Sequence, residues 1–97
     1  MTEVIFMTKA ISKQGNEDAI MQALCDVAKA AAAADGCVSY HVNHSVSDPA
    51  VTVTCERWSN TEARDSFLKT PAVATFASAV HDKFAENPQP VQFEEVC

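Results

Sequence analysis

The chain predicts an α+β fold in which one antiparallel sheet carries helices on a single face. Three observations lead there. Val51-Thr-Val-Thr-Cys-Glu-Arg-Trp58 and Gly36-Cys-Val-Ser-Tyr-His-Val-Asn-His44 both alternate apolar with polar, as strands with one face on a core do. The turn formers Ser47-Asp48-Pro49-Ala50 lie between them, so residues 37–58 read as one β-hairpin. On either side of the hairpin the apolar spacing changes to three and four residues, the period of an amphipathic helix.

The first strand spans Glu3 to Ile11, with Val4, Phe6, Thr8 and Ala10 on one face and Ile5, Met7, Lys9 and Ile11 on the other. Ser12-Lys-Gln-Gly15 turns the chain, and Asn16 is placed to cap a helix whose first turn carries Glu17 and Asp18. Ile20, Leu24, Val27 and Ala31 form its core-facing stripe, the alanines from 30 to 34 permit close approach to the sheet, and Gly36 ends it. After the hairpin, Ser59-Asn-Thr-Glu62 matches a capping box opening a short helix. Thr70 and Pro71 restart it, and Val73, Phe76, Ala77, Val80 and Phe84 carry an apolar stripe to about residue 86. Asn87-Pro-Gln-Pro90 then breaks the helix, and Val91 to Val96 alternates as a last strand. The order strand, helix, strand, strand, helix, strand is the ferredoxin-like βαββαβ arrangement, here one domain over residues 1–97. Helices on one side leave the other sheet face bare. A second copy is expected to cover it, which makes the chain a homodimer.

Composition narrows the function. A net charge of −6 and only two Arg offer no basic stripe for a nucleic-acid backbone. The apolar runs are far too short for a membrane span. No basic-then-apolar leader pattern opens the chain, so the expected compartment is the cytoplasm. Cys25, Cys37, Cys55 and Cys97 show neither Cys-x-x-Cys nor zinc-finger spacing, and reduced thiols are expected. His41 and His44 are three apart on a strand and point to opposite faces, so they cannot share a metal ion. No metal and no cofactor are expected.

Glu56 is the residue with the least routine explanation, a carboxylate in mid-strand sharing a face with Thr54 and Trp58. A turn centred near Pro49 and Ala50 sets Asn43 opposite Glu56 and His41 opposite Trp58. A one-residue slip replaces them by Val42 or His44 and by Tyr40. The structural alternative for Glu56 is an ion pair with Arg or Lys across a dimer interface. Trp58, Tyr40 and His81 each have an ordinary reading as core or surface residues beside a functional one.

Gly36-Cys37-x-x-Tyr40, Glu56-Arg57-Trp58 and Phe67-Leu68-x-Thr70-Pro71, in this spacing, resemble the antibiotic biosynthesis monooxygenase family along nearly the whole chain. The resemblance implies a dimeric α+β barrel, with activities that include cofactor-independent oxidation of quinols and polyketide anthrones by O2, haem degradation, and isomerisation of a phosphorylated sugar. It implies a pocket between sheet and helices with Trp58 on its wall. Thr54 stands where the polyketide oxygenases carry Asn, and Phe67 and Ala72 stand where many relatives carry His. Ala77 and Thr8 stand where haem-degrading relatives carry an iron-ligating His and an Asn, which disfavours that activity. The expected function is therefore oxidation of a small aromatic quinol or phenol by O2. Glu56, Asn43 and His41 are the candidate catalytic groups, and Trp58, Thr54, Tyr40 and His81 the candidate substrate-binding ones. The alternatives are a non-catalytic small-molecule-binding dimer and an isomerase of a small carbonyl compound.

Overall fold

The structure, a computed structural model, describes residues 3–97. The elements follow as β1 (Val4–Ser12), α1 (Glu17–Ala32), β2 (Cys37–His44), β3 (Val51–Trp58), α2 (Thr61–Leu68), α3 (Pro71–Ala79) and β4 (Phe84–Phe93). Four strands form one antiparallel sheet in the order β2-β3-β1-β4, as the ferredoxin-like reading requires. The even-numbered residues of β1 and β3 face the helices. Val4 pairs with Trp58, Phe6 with Glu56, Thr8 with Thr54 and Ala10 with Thr52.

The predicted stripe of α1 is its buried face, formed by Ile20, Ala23, Leu24, Val27 and Ala31. It serves two clusters. Ile20, Ala23 and Leu24 meet Val80, while Val27 and Ala31 meet Trp58 and Phe67. Full burial of a side chain such as Ile20 contributes about 1.5–3 kcal/mol. Ala31 is wholly buried beside the indole, so the small residue is what lets α1 approach the sheet there.

Local expectations differ from the structure at five places. Asn16 makes no side-chain cap; the Gly15 amide donates to the Glu17 carboxylate instead. The cap of α2 is Asn60 rather than Ser59, its Oδ1 accepting from the Ala63 amide at 2.8 Å. Thr70 precedes Pro71 but spends its hydroxyl on the Phe67 carbonyl, at 2.7 Å. The second long helix stops at Ala79, because Asp82 turns the chain with φ 60°. Phe84 therefore starts a strand, and it still reaches the Ile20–Leu24–Val80 cluster. That strand runs through Asn87–Pro90 instead of beginning after it. β4 is the sheet's edge, where a residue without an amide hydrogen leaves no central ladder bond unmade.

The fifth difference is hairpin register. Tyr40 pairs with Glu56, Val42 with Thr54 and His44 with Thr52. The turn explains it. Ser45 Oγ accepts from the Ser47 and Asp48 amides, Asp48 Oδ1 accepts from the Ala50 amide, and the Ser45 amide closes the loop on the Val51 carbonyl. Side chains of Ser45 and Asp48 thus wind a loop centred earlier than Pro49 and Ala50, and every cross-strand partner moves with it.

Gly36 joins α1 to β2 with φ +82°, and a Cβ built there would lie 2.5 Å from the Ala63 Cβ on α2. Gly36→Ala is expected to lower stability by about 1–3 kcal/mol from backbone strain alone. Chemical denaturation reads the loss, and a midpoint equal to wild type would contradict it.

Candidate functional site

The helix-facing side of the sheet and the inner faces of α1, α2 and α3 enclose a cavity of about 610 Å3. Its floor carries hydroxyls from three neighbouring strands, Thr8, Thr52, Thr54 and Tyr40, and its roof is apolar, with Leu24, Val27, Phe67, Val73 and Phe76. That division suits a flat ring with a few polar substituents. Lys13, His81 and Asp82 stand exposed at the rim.

Glu56 is the charged group of the floor, only 5% exposed. Its Oε1 accepts from Trp58 Nε1 at 2.8 Å and from Arg64 Nε at 2.8 Å, while Oε2 has a longer contact of 3.4 Å with Arg64 Nη2. Arg64 projects from α2, its guanidinium carbon 3.8 Å from the centroid of the Phe6 ring. A guanidinium suits this position, since it forks onto a carboxylate while stacking on an aromatic face. Removing one member of such a buried pair costs about 3–5 kcal/mol, because the other charge is left unpaired.

Tyr40 lies across the strand from Glu56. Burial, and then the Glu56 carboxylate, push its phenol well above the ordinary value, against a smaller downward pull from Arg64. Tyr40 therefore presents a neutral O–H to the cavity. The Cys37 thiol is raised by burial first and by Glu56 second. Four residues along β3 from Glu56, the buried Thr52 Oγ1 has no hydrogen-bond partner among the described residues.

The structure brings together Glu56, Thr54 and Tyr40 from the sequence-derived set, and places His81 at the rim. The His81 side chain is 80% exposed, with Nε2 3.2 Å from Asp82 Oδ2. Trp58 is not on the cavity wall. It is fully buried behind Glu56, its ring 5.4 Å from that of the cavity-lining Phe67 and its indole N–H on the Glu56 carboxylate. Asn43 and His41 lie on the opposite face of the sheet, exposed, opposite Val53 and Cys55. Asn43 Nδ2 donates to the Val53 carbonyl at 3.2 Å. The earlier centre of the turn is what separates both from Glu56. The cation that neutralises Glu56 belongs to the same chain, so no partner's Arg or Lys is needed. Arg64 itself escaped the sequence reading. A mid-strand carboxylate announces that a cation is needed, yet nothing in the local pattern of α2 points Arg64 toward β3.

The model of the antibiotic biosynthesis monooxygenase family matches residues 4–91. Among solved structures, a Nitrosomonas europaea protein named for that family superposes with a TM-score of 0.92 at 18% identity, over 98% of this chain and 91% of that one. A Pseudomonas aeruginosa protein superposes with a TM-score of 0.93 at 16% identity, over 100% and 97%. A Deinococcus radiodurans protein named for the family gives 0.85 at 23% identity, over 96% and 92%. At these identities the superpositions establish a shared fold. The curated proteins offer no match.

Tyr40 is the sole tyrosine, so ultraviolet titration of phenolate absorbance reports on it alone. Its midpoint is expected above the ordinary 10.0. With the folded value above the unfolded one, the stability Tyr40 contributes is complete below the unfolded value and is lost as pH rises toward the folded one. A midpoint at or below that of free tyrosine would contradict the buried, carboxylate-flanked phenol.

Proposed function

Because the chain belongs to the antibiotic biosynthesis monooxygenase family, we propose that it is a cofactor-independent monooxygenase that oxidises a small electron-rich phenol or quinol with O2. The observation that carries this reading is a buried carboxylate on the floor of a cavity with an apolar roof. Its volume of about 610 Å3 falls in the range of small-molecule sites. A phenolate rich in electrons reduces O2 by itself. The protein need only hold the ring, take the proton and exclude water. One oxygen atom enters the substrate and the other leaves as water, the substrate supplying all four electrons.

In this scheme Glu56 accepts the phenolic proton through Oε2, its less engaged oxygen. Tyr40 and Thr54 offer hydroxyls to the substrate oxygens, and Phe67, Val73 and Phe76 cover the ring. Trp58 is a positioning residue, fixing Oε1 so that the carboxylate presents its other edge. His81 belongs to the entrance. Asn43 and His41 have no part inside this cavity.

We further propose that the active form is a homodimer in the cytoplasm, where its cysteines remain thiols. The sheet face away from the helices supports the dimer. Met7, Val91 and Phe93 are 38%, 51% and 46% exposed there, an apolar group that a second copy would cover.

Oxygen uptake with a panel of hydroquinones tests the activity. Wild type is expected to consume O2 at least about 100-fold faster than Glu56→Gln, the usual scale for a positioned base. Equal rates, with ligands stabilising the protein but not turning over, would leave a binding protein; turnover without O2 would favour an isomerase. For the assembly, sedimentation equilibrium is expected to give a dimer that Phe93→Lys converts to monomers. A monomeric wild type would refute the dimer.

A further inference from the structure

We propose that Arg64 is the shared counter-ion of the proton transfer, paired with Glu56 before it and with the substrate oxygen after it. The inference rests on the phenol-binding reading of the cavity and adds to it a residue and a charge balance. Arg64 lines the cavity, its side chain is 11% exposed, and it bonds Glu56 through Nε and Nη2. Among the described residues its Nη1 makes no hydrogen bond. The guanidinium therefore has spare donors beside the carboxylate it neutralises.

Without a cation the chamber would hold a lone buried anion both before the transfer, on Glu56, and after it, on the substrate, which is costly. Here the substrate O–H bond breaks, its proton goes to Glu56 Oε2, and the electron pair stays on the substrate oxygen. The ion pair Glu56–Arg64 becomes the ion pair phenolate–Arg64, and the net charge of the site does not change. Phe6 holds the guanidinium plane through the exchange, so the cation need not move far. The other groups around the site are compatible. Tyr40 across the strand keeps its proton and donates, the Cys37 thiol also remains neutral, and Lys13, His81 and Asp82 stand away at the rim.

4-Nitrophenol tests this without any oxidation, because it is too electron-poor to react with O2 and its phenolate band reports its protonation. Bound to wild type, it is expected to ionise at least about one pH unit below the free compound, a tenfold shift. Arg64→Met, which leaves Glu56 alone, should move that midpoint above wild type. Glu56→Gln, which leaves Arg64 alone, should move it further below. Opposite displacements by the two partners are the signature, since general loosening of the fold would move both the same way. If Arg64→Met fails to fold, Glu56→Gln and the neutral double variant Glu56→Gln/Arg64→Met decide. The double variant should ionise the probe at a higher pH than Glu56→Gln. A wild-type midpoint at or above that of free nitrophenol, or displacements of one sign, overturns the role of Arg64 while leaving the oxygenase to the uptake assay. Failure of nitrophenol to bind wild type at all, read by equilibrium dialysis, overturns both.

Discussion

The interaction on which the rest depends is the clasp around Glu56. A carboxylate in the middle of a central strand cannot be left dry and alone, so the surrounding elements are arranged to answer it. Trp58 meets one oxygen from the same strand, and Arg64 reaches across from α2. The result ties helix to sheet at a definite distance and leaves Oε2 the less engaged of the two carboxylate oxygens. Arg64 is itself steadied by Phe6 on the adjacent strand. Three elements thus meet at one charge.

Around that clasp the fold keeps a void where a domain of this size would ordinarily gain stability by filling it. The two core clusters lie toward the ends of α1, Ile20 and Leu24 with Val80 on one side, Val27 and Ala31 with Trp58 and Phe67 on the other. The space between sheet and helices is left open and lined by threonines below and hydrocarbon above. Thr52, with its unanswered hydroxyl, fits a surface built for something other than self-packing. Such a chamber costs the cohesion that close packing would supply.

Much of this was legible from residue patterns. The alternation of Val51 to Trp58, the spacing of Ile20, Leu24, Val27 and Ala31, and the glycine at 36 all report on backbone period and handedness, which are local properties. Alternation also sorted the residues of β1 and β3 by face, but on β1 either face was apolar enough to be buried, and pairing with β3 decides which one meets the helices. What was not legible is set by geometry between elements. Ser45 and Asp48 wind the hairpin loop with side-chain bonds, and this moves Tyr40 rather than Asn43 opposite Glu56. The apolar spacing of Val73 to Phe84 fits a helix as well as a helix, a turn and a strand, and Asp82 decides between them. Glu56 signalled that a cation was needed, yet only the placement of α2 identifies Arg64. The matching motif likewise pointed to Trp58 but not to its place, buried behind the carboxylate.

One further consequence comes from the prolines of β4. Pro88 and Pro90 sit on the outermost strand, next to the central β1. A proline offers no hydrogen to an incoming strand, so a foreign chain that tried to continue the ladder there would find gaps in it. Prolines on an edge strand disfavour templated growth at that border. The apolar exposure of this sheet lies instead on its broad side, at Met7, Val91 and Phe93.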